Sequence, residues 1–393
     1  MLNSPFAPWP SFTTEEADAV RDVVLSNKVN YWTGTECREF EKEFAAFAGT
    51  EYAIALANGT VALDLALKAL GIGAGDEVIV TSRTFLASVS SIVNAGATPV
   101  FADVDLDSQN ITADTIRAVI TSKTRGIVCV HLAGWPCDMD EIMDLAHAHD
   151  LKVIEDCAQA HGALYKGRPV GSIGHVGAWS FCQDKIMTTG GEGGMVTTND
   201  RELWASMWAY KDHGKSWEAV YEREHAPGFR WLHESFGTNW RMLEMQAVIG
   251  RIQLRKMTEW QATRQANAAL IWNCAKSLPA LRVPVLPAGV RHAAYKCYVF
   301  IRPEFLREEW SRDRILAEIN SRGVPAFSGS CSEVYLEKAF DNTGWRPEVR
   351  LANAQLLGET SLMFLVHPTL TAAQIDLTCK VLADVITEAT DSV

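Results

Sequence analysis

One lysine stands in a stretch whose residue types favour nucleophilic chemistry. The apolar run 178–181 is followed by Lys185, and the glycine-rich turn 190–194 separates this lysine from a second apolar run. Glycine permits sharp backbone bends because it has no Cβ, so the pattern predicts a lysine held between two strands. Such a lysine is a candidate for forming a Schiff base with a carbonyl compound. The same stretch also fits an exposed hairpin loop with a surface lysine, and alone it does not separate the two interpretations.

A second group of candidate residues follows an apolar run at 153–154. Glu155 and Asp156 end the predicted strand, and ligand sites in parallel sheets form beyond the carboxyl ends of the strands. A carboxylate placed there can pair with a cationic ring nitrogen and keep its proton in place. The alternative is an aspartate that caps the next helix. His161, a few residues later, is either a polar group of the site or a packed core histidine.

A third group, Asn58-Gly59-Thr60, lies between a short apolar run and a helical segment. Exposed amides at a helix N-terminus bind phosphate, with the helix dipole behind them, although a simple turn explains the same residues. Ser180 can add a hydroxyl to such a phosphate site. Phe85, at the predicted start of a helix, can stack on an aromatic ring or pack in the core.

A phosphate site, an acid and a lysine in one domain together match the needs of pyridoxal phosphate. The lysine would bond to the cofactor's aldehyde, and Asp156 would keep the pyridine nitrogen protonated. Amides and hydroxyls near Gly59 would hold the phosphate.

The elements that must position these residues form a repeated pattern. Short apolar runs alternate with helical segments from about residue 52 to 155, which predicts a mostly parallel sheet with helices on both faces. A long helix is predicted over about 242–270, after a loop rich in tryptophan. The sequence therefore predicts an α/β fold with an N-terminal arm and large domain at 1–255, and a smaller α+β domain at 256–393.

Composition excludes several classes of protein. The 393 residues carry a net charge of −12, which argues against a nucleic-acid-binding surface. The nine cysteines include no C-x-x-C pair, which fits a reducing compartment. We expect no signal peptide, no membrane span and no metal site, and we expect a cytoplasmic protein.

The motifs as a set resemble the DegT/DnrJ/EryC1/StrS family of sugar-nucleotide aminotransferases. The likeness covers most of the chain and is strongest from about residue 58 to 250. It rests on the three groups above, on Gly75-Asp76-Glu77-Val78, Thr84-Phe85, Gly191-Glu192-Gly193-Gly194, Asp212-His213-Gly214 and Gly237-Thr238-Asn239-Trp240-Arg241-Met242. The resemblance implies a type I aminotransferase fold and a homodimer with active sites at the subunit interface.

The resemblance also implies roles for individual residues. Lys185 would carry the covalently bound pyridoxal phosphate, and Asp156 would pair with the pyridine nitrogen. Gln159 would lie beside the ring near its hydroxyl, and Phe85 would stack on the ring. The phosphate would be held by Gly59, Thr60, Ser180 and, from the partner chain, Asn239. His213 and Arg241 are candidates for contacts with the amino donor or the sugar.

The family resemblance implies amino transfer from L-glutamate to a nucleotide-linked keto-sugar, with pyridoxamine phosphate as the intermediate form of the cofactor. Glu192 in Gly-Glu-Gly-Gly favours amination of C4 of a 4-keto-6-deoxyhexose, for amino-sugar biosynthesis. Amination of C3 is the nearest rival. A branch of the family that dehydrates sugars carries histidine in place of the lysine, and Lys185 argues against it. A non-catalytic regulator is a further alternative that the retained cofactor residues disfavour, and the nucleotide is left open.

Overall fold

The computed structural model describes residues 6–227 and 230–390. Part of the predicted N-terminal arm therefore lies outside the described residues. Alternation of short apolar strands with amphipathic helices determines most of the architecture, because each strand buries both faces and each helix buries one stripe.

The strands are numbered in chain order. They are β1 (Tyr52–Leu56), β2 (Glu77–Thr81), β3 (Thr98–Ala102), β4 (Thr124–Val130), β5 (Lys152–Asp156), β6 (Leu164–Tyr165), β7 (Arg168–Pro169), β8 (Val176–Ser180), β9 (Gly194–Thr198), β10 (Leu281–Arg282), β11 (Val290–Arg291), β12 (Cys297–Ile301), β13 (Ala326–Phe327) and β14 (Ser361–Phe364).

The α-helices are numbered in the same way. They are α1 (Thr14–Leu25), α2 (Glu36–Ala48), α3 (Gly59–Ala69), α4 (Ala87–Asn94), α5 (Ala113–Arg117), α6 (Met139–Ala148), α7 (Arg201–Tyr210), α8 (Glu244–Lys276), α9 (Arg312–Ser321), α10 (Ala352–Thr360) and α11 (Ala372–Ala389).

A seven-stranded sheet in the order β1-β9-β8-β5-β4-β2-β3 forms the centre of the large domain. Neighbours within β3, β2, β4, β5 and β8 are parallel, and β9 runs antiparallel to both β8 and β1. The carboxyl ends of β1, β5 and β8 therefore lie at one edge of the sheet, where a ligand site is expected. This mostly parallel sheet confirms the predicted α/β class.

A smaller antiparallel sheet in the order β10-β12-β14-β13 lies in the C-terminal part of the chain. Its apolar core includes Val299, Leu362 and Phe364, together with buried residues of α9 and α11. Both helices begin at hydroxyl caps. The side chain of Ser311 accepts from the amide of Arg314 in α9, and Thr371 accepts from the amide of Gln374 in α11.

The helix α8 is continuous over 33 residues and contributes to the cores of both parts of the chain. The predicted domain boundary at 255/256 falls inside this helix. The strands β11, β6 and β7 form a three-stranded sheet. Because β11 follows residue 256 and β6 and β7 precede residue 255, this sheet joins the two predicted domains. Within the described chain, no helix is both long and apolar enough to cross a membrane.

Candidate active site

The predicted acid, lysine and phosphate-binding turn line one cavity of about 590 Å³ at the carboxyl edge of the large sheet. The acid ends β5, the lysine follows β8, and the turn follows β1, so three strands whose carboxyl ends share one edge of the sheet bring them together. Of the residues predicted to bind cofactor or substrate, the cavity is lined by Gly59, Thr60, Phe85, Asp156, Gln159, Ser180, Lys185 and Glu192.

The turn after β1 is shaped to receive an anion. Asn58 caps α3, and its Oδ1 accepts a hydrogen bond of 3.0 Å from the amide of Val61. The remaining amides of the first helical turn point along the axis toward the cavity, as at any helix N-terminus. A Cβ on Gly59 would lie 2.6 Å from Cβ of Ser180. The absence of a side chain at Gly59 therefore lets the Ser180 hydroxyl approach the helix end.

Asp156 is buried and held by two donors. Ser88 Oγ donates to Asp156 Oδ2 at 2.7 Å, and the amide of Ala158 donates to Oδ1 at 3.1 Å. Thr84 Oγ1 lies 2.9 Å from Ser88 Oγ, and because Ser88 donates to the acid, Thr84 donates to Ser88. Burial raises the pKa of Asp156, although the Ser88 bond, the Ala158 amide and the charge of Lys185 oppose the rise. A cationic ring nitrogen would relieve this cost of burying the carboxylate.

Lys185 lies in the loop that joins the antiparallel strands β8 and β9, and its side chain is 17% exposed. Its Nζ lies 3.5 Å from Asp184 Oδ1 and 5.3 Å from the centroid of the Tyr295 ring. The Tyr295 hydroxyl donates to Asp184. Burial alone would raise the pKa of Asp184, but the Lys185 charge and the Tyr295 bond hold it below its ordinary value. Trp9 Nε1 donates to the Lys185 carbonyl at 2.8 Å and anchors the loop.

Gln159 orients its amide toward the cavity wall. Its Oε1 accepts from the amide of Ala133 at 2.8 Å. Its NH₂ group donates to no residue in the described ranges, which leaves it available to a ligand oxygen.

A second cavity of about 660 Å³ adjoins the first and shares Thr84, Phe85, Gln159, Asp184 and Lys185 with it. Beyond the shared residues it is lined by Tyr295, Lys296, Tyr298 and the loop after β13. The first cavity is thus large enough for a cofactor, and the second offers space for a substrate next to Lys185.

Three predicted residues do not line either of these cavities in the described chain: His213, Asn239 and Arg241. Arg241 Nη1 instead donates to Asp212 Oδ1 at 2.7 Å. The carbonyl of Trp240 accepts from the amide of Ala57 at 2.9 Å, so this segment packs beside the end of β1.

Residues that the sequence alone did not reveal also shape the site. Ser88, in the first turn of α4, orients Asp156, and its spacing of four residues from Thr84 is a local signal that could have found it. Tyr295 lies 111 residues from Asp184 in the sequence, and nothing near Tyr295 in the chain predicts that contact.

The His131–Glu155 pair, beside the site, has a structural explanation. His131 Nε2 lies 3.0 Å from Glu155 Oε2, and His131 Nδ1 accepts from the amide of Cys137. Glu155 also accepts from the amides of Gly171 and Gly174. Although Cys157 lies close enough to complete a set of metal ligands, these hydrogen bonds already occupy the carboxylate and the imidazole.

Comparison with known proteins is consistent with this site. The sequence profile of the DegT/DnrJ/EryC1/StrS aminotransferase family matches residues 10–383. The chain belongs to this family. The enzyme is a sugar aminotransferase that depends on pyridoxal phosphate, and the anion-binding turn, the buried acid and the lysine fit that cofactor.

Several proteins are similar to this family member. The GDP-perosamine synthase of Caulobacter vibrioides is 45% identical over 62% of this chain and 64% of that protein. The GDP-perosamine synthase of Escherichia coli O157:H7 is 39% identical over 76% of this chain and 79% of that protein. The X-ray structure of the aminotransferase from Psychrobacter cryohalolentis is 68% identical and superimposes with a TM-score of 0.97, covering 98% of this chain and 100% of that one.

Proposed function

We propose that this enzyme transfers an amino group from L-glutamate to C4 of a nucleotide-linked 4-keto-6-deoxyhexose in amino-sugar biosynthesis. The observation that carries the proposal is the shared lining of two adjoining cavities by Lys185. One cavity fits the cofactor, and the other provides room for two substrates that bind in turn. The relatives that make a GDP-linked amino sugar support a nucleotide-linked substrate.

The cofactor would be held at three points in the first cavity. Gly59, Thr60 and Ser180 bind its phosphate, because a helix N-terminus and a hydroxyl converge there. Phe85 would stack on the ring, and the NH₂ group of Gln159 would donate to the ring hydroxyl. When bound, pyridoxal phosphate supplies an electron sink for negative charge at the carbon that loses its proton.

Asp156 holds a proton on the ring nitrogen. The carboxylate is buried and fixed by Ser88 and the Ala158 amide, so it presents its charge in one orientation. A charge pair of this kind is strong in a buried site because little water screens it. Asp156 thereby keeps the electron sink effective throughout the reaction.

Lys185 has two tasks. It would bond the cofactor between turnovers, and its free Nζ would accept the α-proton of the donor and donate a proton in return. A flexible amine close to the reacting carbon suits this general acid–base role. The steps run in reverse with the keto-sugar, so one lysine serves both half-reactions.

The active site would be completed by a second copy of the chain. Phe85 is 71% exposed although it lines the cavity, so one side of the cavity is open in a single chain. Asn239 does not line the cavity of its own chain. We therefore assign the remaining phosphate contact to the partner's Asn239 in a homodimer.

The choice of C4 rests on Glu192. This residue lines the cofactor cavity, and its Oε1 lies 3.9 Å from Cys182 Sγ in the loop that carries Lys185. Glutamate at this position of Gly-Glu-Gly-Gly is the feature that the family resemblance associates with amination of C4 rather than C3. We also assign His213 and Arg241 to contacts with the substrate, although neither residue lines a cavity of its own chain.

The lysine assignment is tested by absorbance. The purified enzyme should show the visible band of the covalently bound cofactor, and L-glutamate should bleach it with release of one equivalent of 2-oxoglutarate. Lys185→Ala should lack the band and the turnover, whereas Lys380→Ala, at an exposed lysine of α11, should keep both. A Lys185→Ala enzyme that retains the band and full turnover would show that the assignment is wrong.

A further inference from the structure

Lys296 is a cation that lines the second cavity and forms no hydrogen bond or ion pair with the residues that the structure describes. It lies immediately before β12, is partly buried, and borders the cavity that adjoins Lys185. Its Nζ donates no hydrogen bond and forms no ion pair within residues 6–227 and 230–390. Buried charges in proteins are normally paired, so an unpaired ammonium facing a substrate-sized cavity indicates an anionic ligand.

Lys296 and the reacting lysine lie against the same side chain. Lys185 Nζ is 5.3 Å and Lys296 Nζ is 4.8 Å from the centroid of the Tyr295 ring. The Tyr295 hydroxyl donates to Asp184, which fixes the ring that both ammonium groups approach. A ligand that reacts at Lys185 is therefore within reach of Lys296 only if its anionic group lies close to its reacting atom.

The charge balance of the two cavities requires such a cation. Apart from Lys185, Lys296 is the sole cationic side chain among the described residues that line them. The acidic lining residues are Asp156, Asp184, Glu192 and Glu337. The chain as a whole carries a net charge of −12. Without Lys296, the carboxylates of a dicarboxylic amino acid would meet a lining in which acidic side chains outnumber basic ones, which costs affinity.

We infer that Lys296 binds a carboxylate of the amino donor and selects a dicarboxylic amino acid. This inference rests on the proposed function, in which L-glutamate reacts at Lys185. A five-carbon dicarboxylic acid is short, so both of its carboxylates stay near its amino group. In a nucleotide-linked sugar, the hexose ring and the glycosidic oxygen separate the reacting carbon from the diphosphate, so the diphosphate lies farther from the reacting carbon than a carboxylate of glutamate does.

The local electrostatics agree with this assignment. Burial lowers the pKa of Lys296 to about 8, Asp184 partly opposes this effect, and Arg264 and Lys185 add to it. Arg264 is itself fully buried, and its Nε and Nη2 have no hydrogen-bond partner in the described chain. A bound carboxylate would add a negative charge that stabilises the protonated form of Lys296.

The test separates the two half-reactions of the cofactor-bound enzyme. In Lys296→Met, the KM for L-glutamate should rise about tenfold to a hundredfold, as for loss of one charge-assisted hydrogen bond. The KM for the keto-sugar nucleotide should change less than about threefold. Lys296→Arg should recover part of the loss because it keeps the charge, and Lys380→Met, on an exposed face of α11, is the matched control.

Binding without turnover provides a second measurement. Calorimetric titration of the enzyme in its pyridoxal form with 2-oxoglutarate should give a dissociation constant that rises by the same factor in Lys296→Met. The visible cofactor band and the melting temperature show whether the variant is folded. This binding experiment needs no sugar, so it can be interpreted even if no keto-sugar proves to be a substrate. The absence of a sugar substrate would contradict the proposed function and leave the inference about Lys296 to be decided by the binding constants.

Three results would overturn the inference. Unchanged glutamate and 2-oxoglutarate constants in Lys296→Met would exclude a donor contact. A rise confined to the KM of the keto-sugar nucleotide would assign the cation to the diphosphate. Equal rises for both substrates would show that Lys296 does not discriminate the donor.

Discussion

Replacing Lys296 with methionine should stabilise the fold while it weakens the donor site. In the cofactor-free protein the ammonium is partly buried without a protein acceptor, and burial lowers its pKa from 10.5 to about 8. Below pH 8 the lysine is protonated in both the folded and the unfolded chain. The full cost of burying the charge is therefore present at neutral pH, and methionine, which is similar in length and uncharged, removes it.

The magnitude follows from the pKa difference. At about 1.36 kcal/mol for each tenfold change in proton affinity, the buried charge costs about 3 kcal/mol. Methionine loses the contact between the ammonium and the Tyr295 ring, which contributes about 1 kcal/mol. The variant should therefore gain about 1–2 kcal/mol in the free energy of unfolding at pH 7. Between pH 8 and 10.5 the unfolded chain binds more protons than the folded chain, so the stability of the wild type rises with pH. The difference in the free energy of unfolding between Lys296→Met and the wild type should therefore become smaller.

Denaturant unfolding of the cofactor-free protein at pH 7 and pH 10 measures both effects. The cofactor is removed because a ligand that binds only the folded chain would add its own binding free energy to the measured stability. Lys380→Met should leave the stability within about 0.5 kcal/mol at both pH values, as for an exposed substitution. A Lys296→Met protein that is less stable than wild type at pH 7 would refute the reasoning. So would a stability difference between the two proteins that is as large at pH 10 as at pH 7.

Further predictions concern the cofactor and the pH profile. Asp156→Asn should still bind pyridoxal phosphate but lose at least a hundredfold in kcat, because the ring nitrogen loses its charge partner; steady-state rates near those of wild type would refute its role. Gly59→Ala should weaken cofactor binding at least tenfold, since its Cβ would lie 2.6 Å from Cβ of Ser180, whereas Gly73→Ala makes only an ordinary contact and should not; fluorescence titration with the cofactor distinguishes them. The KM for glutamate should rise above pH 8 as Lys296 loses its proton, and a KM profile with the same slope in Lys296→Met would contradict this.

Local patterns were sufficient to predict the elements that carry the cofactor residues. The apolar run before Asp156 became β5, and the runs on either side of the Lys185 loop became β8 and β9. In α9, the cap at Ser311 and the buried residues Ile315 and Ile319, four positions apart, are local signals of the same kind. Strands and helices of this kind are determined by periodicity and caps over a few residues, so a single sequence contains the signal.

Features that depend on distant contacts were not predictable in this way. The contact between Tyr295 and Asp184 joins residues 111 positions apart, and no local pattern indicates it. Nothing in the local sequence distinguishes Lys296 from any other lysine before an apolar strand. Its position beside Lys185 arises because β12 brings a residue more than 100 positions later to the catalytic loop, and only the fold reveals that contact.

The position of the new amine on the sugar tests the central claim most directly. The enzyme, pyridoxal phosphate and L-glutamate are incubated with a panel of GDP-, dTDP- and UDP-linked 3-keto- and 4-keto-hexoses, with 2-oxoglutarate measured and each product examined by NMR. We predict glutamate-dependent formation of 2-oxoglutarate with a 4-keto-6-deoxyhexose and nitrogen attached at C4. Nitrogen at C3, or loss of a hydroxyl from the sugar without release of 2-oxoglutarate, would contradict the account.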